Sequence, residues 1–135
     1  MIISAIKESK DNEKRVAIVP DIAKKLVNDG HQVFIEKGAG EKSFFSDVSY
    51  QDSGAEIMDL EEILSKTDIL LVVNLPSNDV LSQVKENSNI VGLLNPYDNK
   101  DSFEKFKNKS ISAFSMELIP RITRAQSMDI LSSQA

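Results

Sequence analysis

The sequence predicts an α/β layer fold in three layers, a mostly parallel sheet with helices on both faces. Three observations carry this expectation. Short apolar runs alternate with helix-like segments along the whole chain, as right-handed strand–helix–strand crossovers require. The run Leu70-Leu-Val-Val73 is apolar at every position, as a central strand covered on both faces should be. No internal repeat, low-complexity tract or Pro/Gly/Ser-rich linker interrupts the alternation, so the 135 residues read as one domain.

Taken in order, strands are expected at Ile2 to Ile6, His31 to Ile35, Glu56 to Met58, Ile69 to Val73, Ile90 to Leu94 and Ile111 to Phe114. Helices are expected at Ile22 to Val27 after Pro20-Asp21, then at Asp47 to Asp52, Leu60 to Leu64, Val80 to Val84 and Phe103 to Phe106. Start and stop signals agree with these spans. Gly30 stands like a C′ residue, Asp101 with Glu104 three residues on has capping-box spacing, and Pro76 closes a strand.

Composition excludes several classes. With 16 basic and 21 acidic residues the net charge is -5, so no general attraction to a nucleic-acid backbone is expected. There is no cysteine, which removes thiolate and iron–sulfur chemistry. The single His31 and the scattered carboxylates lack metal-ligand spacing. The N-terminus has no signal-peptide pattern, and no apolar run approaches the roughly 20 residues that cross a bilayer. The chain reads as cytosolic, reaching membranes only through a partner.

Open α/β sheets bind ligands beyond the carboxyl ends of their strands, and three loops lie there. In Lys7 to Pro20, Arg15 has the chemistry to hold a carboxylate or phosphate, although an exposed charged loop is more often only solvated. Gly38-Ala39-Gly40 lacks the third glycine of a dinucleotide fingerprint, Ser43 standing in its place, so both glycines read as turn residues with φ > 0. Asn95-Pro96-Tyr97-Asp98 is composed of ordinary turn formers.

The densest polar stretch is Pro120 to Ala135. Arg121 and Arg124 precede a helical pattern on which Gln126 and Asp129 share a face, with Ser132 and Ser133 a turn further on. Thr123 and Gln126 also have capping-box spacing, with Ala125, Met128, Leu131 and Ala135 as a buried stripe. Spacing leaves a site and a capped amphipathic helix equally open.

That stretch, Pro120-Arg-Ile-Thr-Arg-Ala-Gln-Ser-Met-Asp-Ile-Leu-Ser-Ser-Gln-Ala135, resembles the NAD(H)-binding domain in the alpha subunit of proton-translocating NAD(P) transhydrogenases. The resemblance covers the whole chain, through Lys7-Glu8, Glu13-Lys-Arg-Val-Ala17, Pro20, Glu36-Lys-Gly-Ala-Gly40 and Tyr50 to Ile57. These earlier motifs are shared with alanine dehydrogenases. Alanine dehydrogenases, however, carry a substrate-binding Lys where this chain has Asn74 and a catalytic His where it has Asn95, so the acid–base apparatus of amino-acid oxidation is absent.

The resemblance implies a flavodoxin- or Rossmann-like fold without its own dinucleotide fingerprint. It implies direct hydride transfer from NADH to NADP+, which depends on positioning. Arg121, Gln126, Asp129 and Ser132 match the family's residues around the dihydronicotinamide. Gln126 and Ser132 fall to the nicotinamide or its ribose, and Arg121 pairs with Asp129. NAD(H) would be held jointly with a following Rossmann domain absent from the 135 residues, and NADP(H) on a partner component. The expected partners are those remaining transhydrogenase domains and subunits, the membrane component among them, and a second copy in a homodimer. The place is the cytoplasmic side of an inner membrane, or the matrix side in a mitochondrion. The alternatives are an alanine dehydrogenase-like amino-acid oxidoreductase and a truncated, non-catalytic assembly module.

Overall fold

The structure is a computed structural model that describes residues 1–116. Six strands and five helices alternate: β1 (Ile2–Ala5), α1 (Pro20–Asn28), β2 (Gln32–Glu36), α2 (Asp47–Asp52), β3 (Glu56–Met58), α3 (Leu60–Lys66), β4 (Ile69–Asn74), α4 (Asn78–Leu81), β5 (Asn89–Leu93), α5 (Lys100–Asn108) and β6 (Ser112–Ser115). They form one sheet in the order β3-β2-β1-β4-β5-β6. Every pairing is parallel. The chain winds outward from β1 to β3, then returns to the other side of β1 with β4. That reversal opens a crevice between β1 and β4 at the carboxyl edge.

The period-two alternation of the strands divides the core into two faces. Val33, Ile35, Leu71 and Val73 pack with Ile22, Ala23 and Leu26 of α1 and Tyr50 of α2. Phe34, Leu70 and Val72 point the other way, onto Ile63 and Leu64 of α3, Leu81 of α4 and Phe106 of α5. β4, paired with β1 and β5, is central as its unbroken apolar run predicts.

Helix ends follow their local chemistry. Pro20 begins α1, where its missing N–H costs nothing. Gly30, at φ 97°, closes that helix: its N–H donates to the Val27 carbonyl and the His31 N–H to Leu26, a Schellman pair. Two expectations are corrected. Asp101 lies inside α5, because Asn99 occupies the N-cap and turns its side-chain amide back onto the carbonyls of Leu94 and Asn95. The fourth helix is the short α4, starting at Asn78 because the Ser77 hydroxyl caps it there.

Candidate functional site

Three of the connections at the carboxyl edge are long, residues 6–19 after β1, 37–46 after β2 and 94–99 after β5, and two are short, 59 after β3 and 75–77 after β4. Two clefts of about 360 Å³ each adjoin there. One, between the β1 and β4 ends, is lined by Lys7, Lys10, Lys42, Glu36 and Leu75. The other, between the β4 and β5 ends, is lined by Asn78, Leu93, Asn95 and Ser102. Asn74 and Pro76 line both, as do Lys10 and Leu75.

A bulge at the end of β4 organises this edge. Leu71 pairs with Val91 but Asn74 with Leu93, so Val72 and Val73 together oppose Gly92. Gly92 is required by close approach: a Cβ there would lie 2.3 Å from the Val72 carbonyl oxygen. On the other side β1 has ended at Ala5, so the last amides of β4 need another acceptor. The Glu8 carboxylate supplies it, taking the N–H groups of Val73 at 3.0 Å and Asn74 at 2.9 Å. Glu8 is only 8% exposed. Burial raises its pKa above the ordinary carboxylate value, and the two backbone N–H groups oppose the shift.

Glu13 is the second buried carboxylate. It receives both Nε and Nη2 of Arg15 at 3.0 Å, and the Asn74 Nδ2 at 2.7 Å. The Arg15 guanidinium is the main reason its pKa falls to about 2. Glu13 therefore fixes two groups at once. It engages the amino group of the Asn74 amide, and it holds a guanidinium whose side chain remains 55% exposed.

The Gly38–Gly40 turn is structural. Gly38 has φ 79° and its N–H donates to Asp47 Oδ1 at 3.0 Å. Gly40, expected to need positive φ, instead sits at φ -93°. It is glycine because a Cβ would lie 2.8 Å from the Phe45 carbonyl and the Tyr50 ring. Tyr50 is fully buried with its hydroxyl donating to the Ile18 carbonyl, and burial pushes its phenol pKa up.

Arg121, Gln126, Asp129 and Ser132 lie outside the described residues. Asn74 and Asn95, far apart in sequence, line one cleft. Asn95 takes φ 47° and its Nδ2 donates to Asp98 Oδ2 at 2.8 Å. Neither amide exchanges a proton near neutral pH. Sequence reasoning missed Glu8 and Glu13, which read as charges in a solvated loop. The available signal, for Glu8 alone, was its place just after an apolar strand.

The described residues do not fit a pyrophosphate. The β1–α1 connection offers buried carboxylates where a dinucleotide fold offers glycine amides, and the space over Gly40 is filled by protein. No cluster of metal-ligating side chains occurs among the described residues, nor is any described helix long and apolar enough to cross a membrane.

The family model "Alanine dehydrogenase/PNT, N-terminal domain" matches residues 4–135. An NAD(P) transhydrogenase alpha-subunit protein of Rickettsia prowazekii is 41% identical over 100% of this chain and 37% of its own length. Alanine dehydrogenase 1 of Staphylococcus aureus strain N315 is 33% identical, over 100% of this chain and 36% of its own. The crystal structure of transhydrogenase from Sinorhizobium meliloti superposes with a TM-score of 0.89 at 37% identity, covering 98% of this chain and 40% of that one. The chain thus spans somewhat over a third of the length of these relatives. It belongs to the alanine dehydrogenase/PNT N-terminal domain family.

Proposed function

We propose that this chain is the N-terminal portion of the NAD(H)-binding component of a proton-translocating NAD(P) transhydrogenase, an oxidoreductase that passes hydride from NADH to NADP+. The observation that carries the reading is the similarity, over the whole of this chain, to part of transhydrogenase alpha subunits, at 41% identity to the Rickettsia protein. The cleft chemistry supports it. Amides at Asn74 and Asn95 provide hydrogen bonds without an acid or base, which suits a reaction needing only positioning.

On this reading Arg121, Gln126, Asp129 and Ser132 contact the nicotinamide end of NAD(H), with Arg121 paired to Asp129. The pyrophosphate is held by a following Rossmann domain, consistent with the poor fit of the described residues to that group. The 135 residues alone then bind NADH feebly and transfer no hydride; sub-micromolar NADH binding in a calorimeter contradicts this. NADP(H) belongs to a partner component and proton movement to a membrane component, with this domain peripheral on the cytoplasmic or matrix side and paired with a second copy.

The test is mutational. In the reconstituted complex, Gln126→Asn and Asp129→Asn each slow hydride transfer by roughly tenfold or more, with the melting temperature unchanged. Full activity in both variants defeats the site assignment. Pyruvate- and ammonium-dependent oxidation of NADH by the intact protein would instead favour the alanine dehydrogenase-like reading.

A further inference from the structure

Asn74 is gripped by two carboxylates that lie far from it in sequence. Its backbone N–H donates to Glu8 Oε1 at 2.9 Å and its side-chain Nδ2 to Glu13 Oε1 at 2.7 Å. Both carboxylates are buried, and Arg15 holds Glu13 in place through Nε and Nη2. Closure of the strand needs only the first of these bonds. Glu8 satisfies the β4 backbone, whereas the Asn74–Glu13 bond fixes the side chain of a residue that lines two clefts. Fixing a side chain costs conformational entropy, and it is useful where that side chain must meet something in one orientation.

The same bond settles which atoms of the amide remain. A primary amide has two N–H hydrogens and one carbonyl oxygen. Glu13 takes one hydrogen, so Asn74 keeps the other together with Oδ1, a donor and an acceptor side by side. Among the described residues the buried side-chain polar atom without a partner is Ser4 Oγ, so the unbonded Oδ1 of Asn74 is open to solvent. Neighbouring amides of the cleft are also committed: Asn95 Nδ2 donates to Asp98, and Asn99 Nδ2 to the carbonyls of Leu94 and Asn95. Three asparagines thus spend amino hydrogens on the protein, and with Glu8 and Glu13 bonded to Asn74 the wall is rich in acceptor oxygen. A carboxylate ligand brings only more acceptors to such a wall. A carboxamide brings an N–H for Oδ1 and a carbonyl for the remaining N–H, which matches Asn74 in both senses.

We infer that Asn74 recognises the carboxamide of a nicotinamide ring and selects it over a carboxylate, with Glu13 as the residue that positions it. This rests on the reading of the chain as part of a transhydrogenase, in which two nucleotides, NADH and NADP+, carry that group. It adds a residue of β4 to a contact otherwise drawn from Arg121, Gln126, Asp129 and Ser132. Lysines stand against it. Lys10 lines both clefts and Lys7 and Lys42 one of them, and ammonium groups there would draw a carboxylate. Preference for the acid is therefore the opposing outcome.

The measurement is a ratio of affinities. In the intact subunit, binding of NADH is compared with binding of its analogue bearing a carboxylate in place of the carboxamide, for the native protein, Asn74→Leu and Glu13→Ala. The native protein should favour NADH by roughly tenfold or more, and both variants should bring the ratio toward one. Each ratio is taken on one preparation, so partial loss of folded protein cancels; Asn74→Ser answers the same question if the leucine variant does not fold. In the reconstituted complex the comparison is repeated as KM for NADP+ and its carboxylate analogue. Selectivity that falls in one arm alone names the nucleotide that Asn74 meets. A native ratio at or below one in both arms, or a ratio that the substitutions leave unchanged in both, overturns the inference and leaves the transhydrogenase reading standing. A subunit that binds neither NADH nor its analogue overturns both.

Discussion

The two edges of the sheet are made by the same strands and built on opposite terms. At the amino edge the connections are short: residues 29–31, 53–55, 67–68 and 109–111. Three close with Schellman pairs, at Gly30, Gly54 and Ser110. The long connection, 82–88, is pinned by Lys109 Nζ on the carbonyls of Ser82 and Val84. Asp68 staples this edge, accepting the Ile2 N–H and the Lys85 ammonium at 2.8 and 2.9 Å, and these bonds lower its pKa. At the carboxyl edge the connections after β1, β2 and β5 lengthen and two carboxylates are buried, while non-glycine residues take positive φ at both edges, Asn12, Phe44 and Asn95 here and Asn87 and Ser110 at the other. An edge needed only for closure relaxes into short, satisfied turns. Buried charge persists where the crevice must keep a shape.

The contrast breaks most visibly at glycine. Gly92→Ala forces a Cβ into the Val72 carbonyl, so the β4 bulge must open or the strands part, at a cost of about 3 kcal/mol or more. Gly30→Ala, at the amino edge, meets no atom within 4 Å and is penalised only for its φ of 97°, by about 1–2 kcal/mol. Urea denaturation of both variants measures the difference. Equal costs would mean that the bulge does not depend on the missing side chain.

The carboxylates offer the next comparison. Glu8→Ala strands the amides of Val73 and Asn74 in a buried place, at about 1–3 kcal/mol for each orphaned donor. Asp68→Ala removes a partly exposed partner, and water can replace it at the Ile2 N–H and Lys85, so the loss is about 1 kcal/mol or less. Thermal melts should therefore show the larger drop for Glu8. Similar drops would erase the distinction between a structural staple and a buried carboxylate clamp.

Acid titration separates the two carboxylates of the crevice by sign. The Glu13 pKa falls from 4.5 to about 2 on folding. Its contribution is complete above the unfolded value and is lost as pH drops through about 2. It amounts to about 2 kcal/mol once screening at half-exposed Arg15 is allowed for. Glu8 is raised from 4.5, so the fold holds its proton longer than the unfolded chain does, and stability falls as pH rises above 4.5. Stability measured against pH should lose much of its acid limb in Glu13→Gln, whereas Glu8→Gln should remove the decline just above 4.5. An unchanged acid limb in Glu13→Gln would show that the Arg15 pair adds nothing to the fold.

The same division separates what was legible in the sequence. Elements could be read because local rules set them: the unbroken Leu70 to Val73 run marks a central strand, and Gly30 marks a helix end. Glu8 and Glu13 could not, since their burial depends on β1 ending at Ala5, before Glu8, while β4 continues, and that is a fact of register between distant segments. The bulge that makes Gly92 obligatory is equally non-local. Asn74 and Asn95 were legible as residues but not as neighbours. The stretch containing Arg121, Gln126, Asp129 and Ser132, where chemistry was most apparent in the sequence, lies beyond the described residues, so the assignment there still rests on resemblance.

The smallest expected effect is the most discriminating for the carboxyl edge. Phe44 contacts solvent over nearly all its surface and holds φ 64°, so the fold gains little from its ring while bearing its backbone strain. Asparagine accepts the left-handed region readily. Phe44→Asn should therefore stabilise the 135-residue chain by about 0.5–1 kcal/mol in denaturant titration. A loss of stability would mean that the ring packs within this chain, and the crevice rim would then be part of the core's own closure. A gain would show that the ring contributes nothing to the fold that offsets the strain of its backbone.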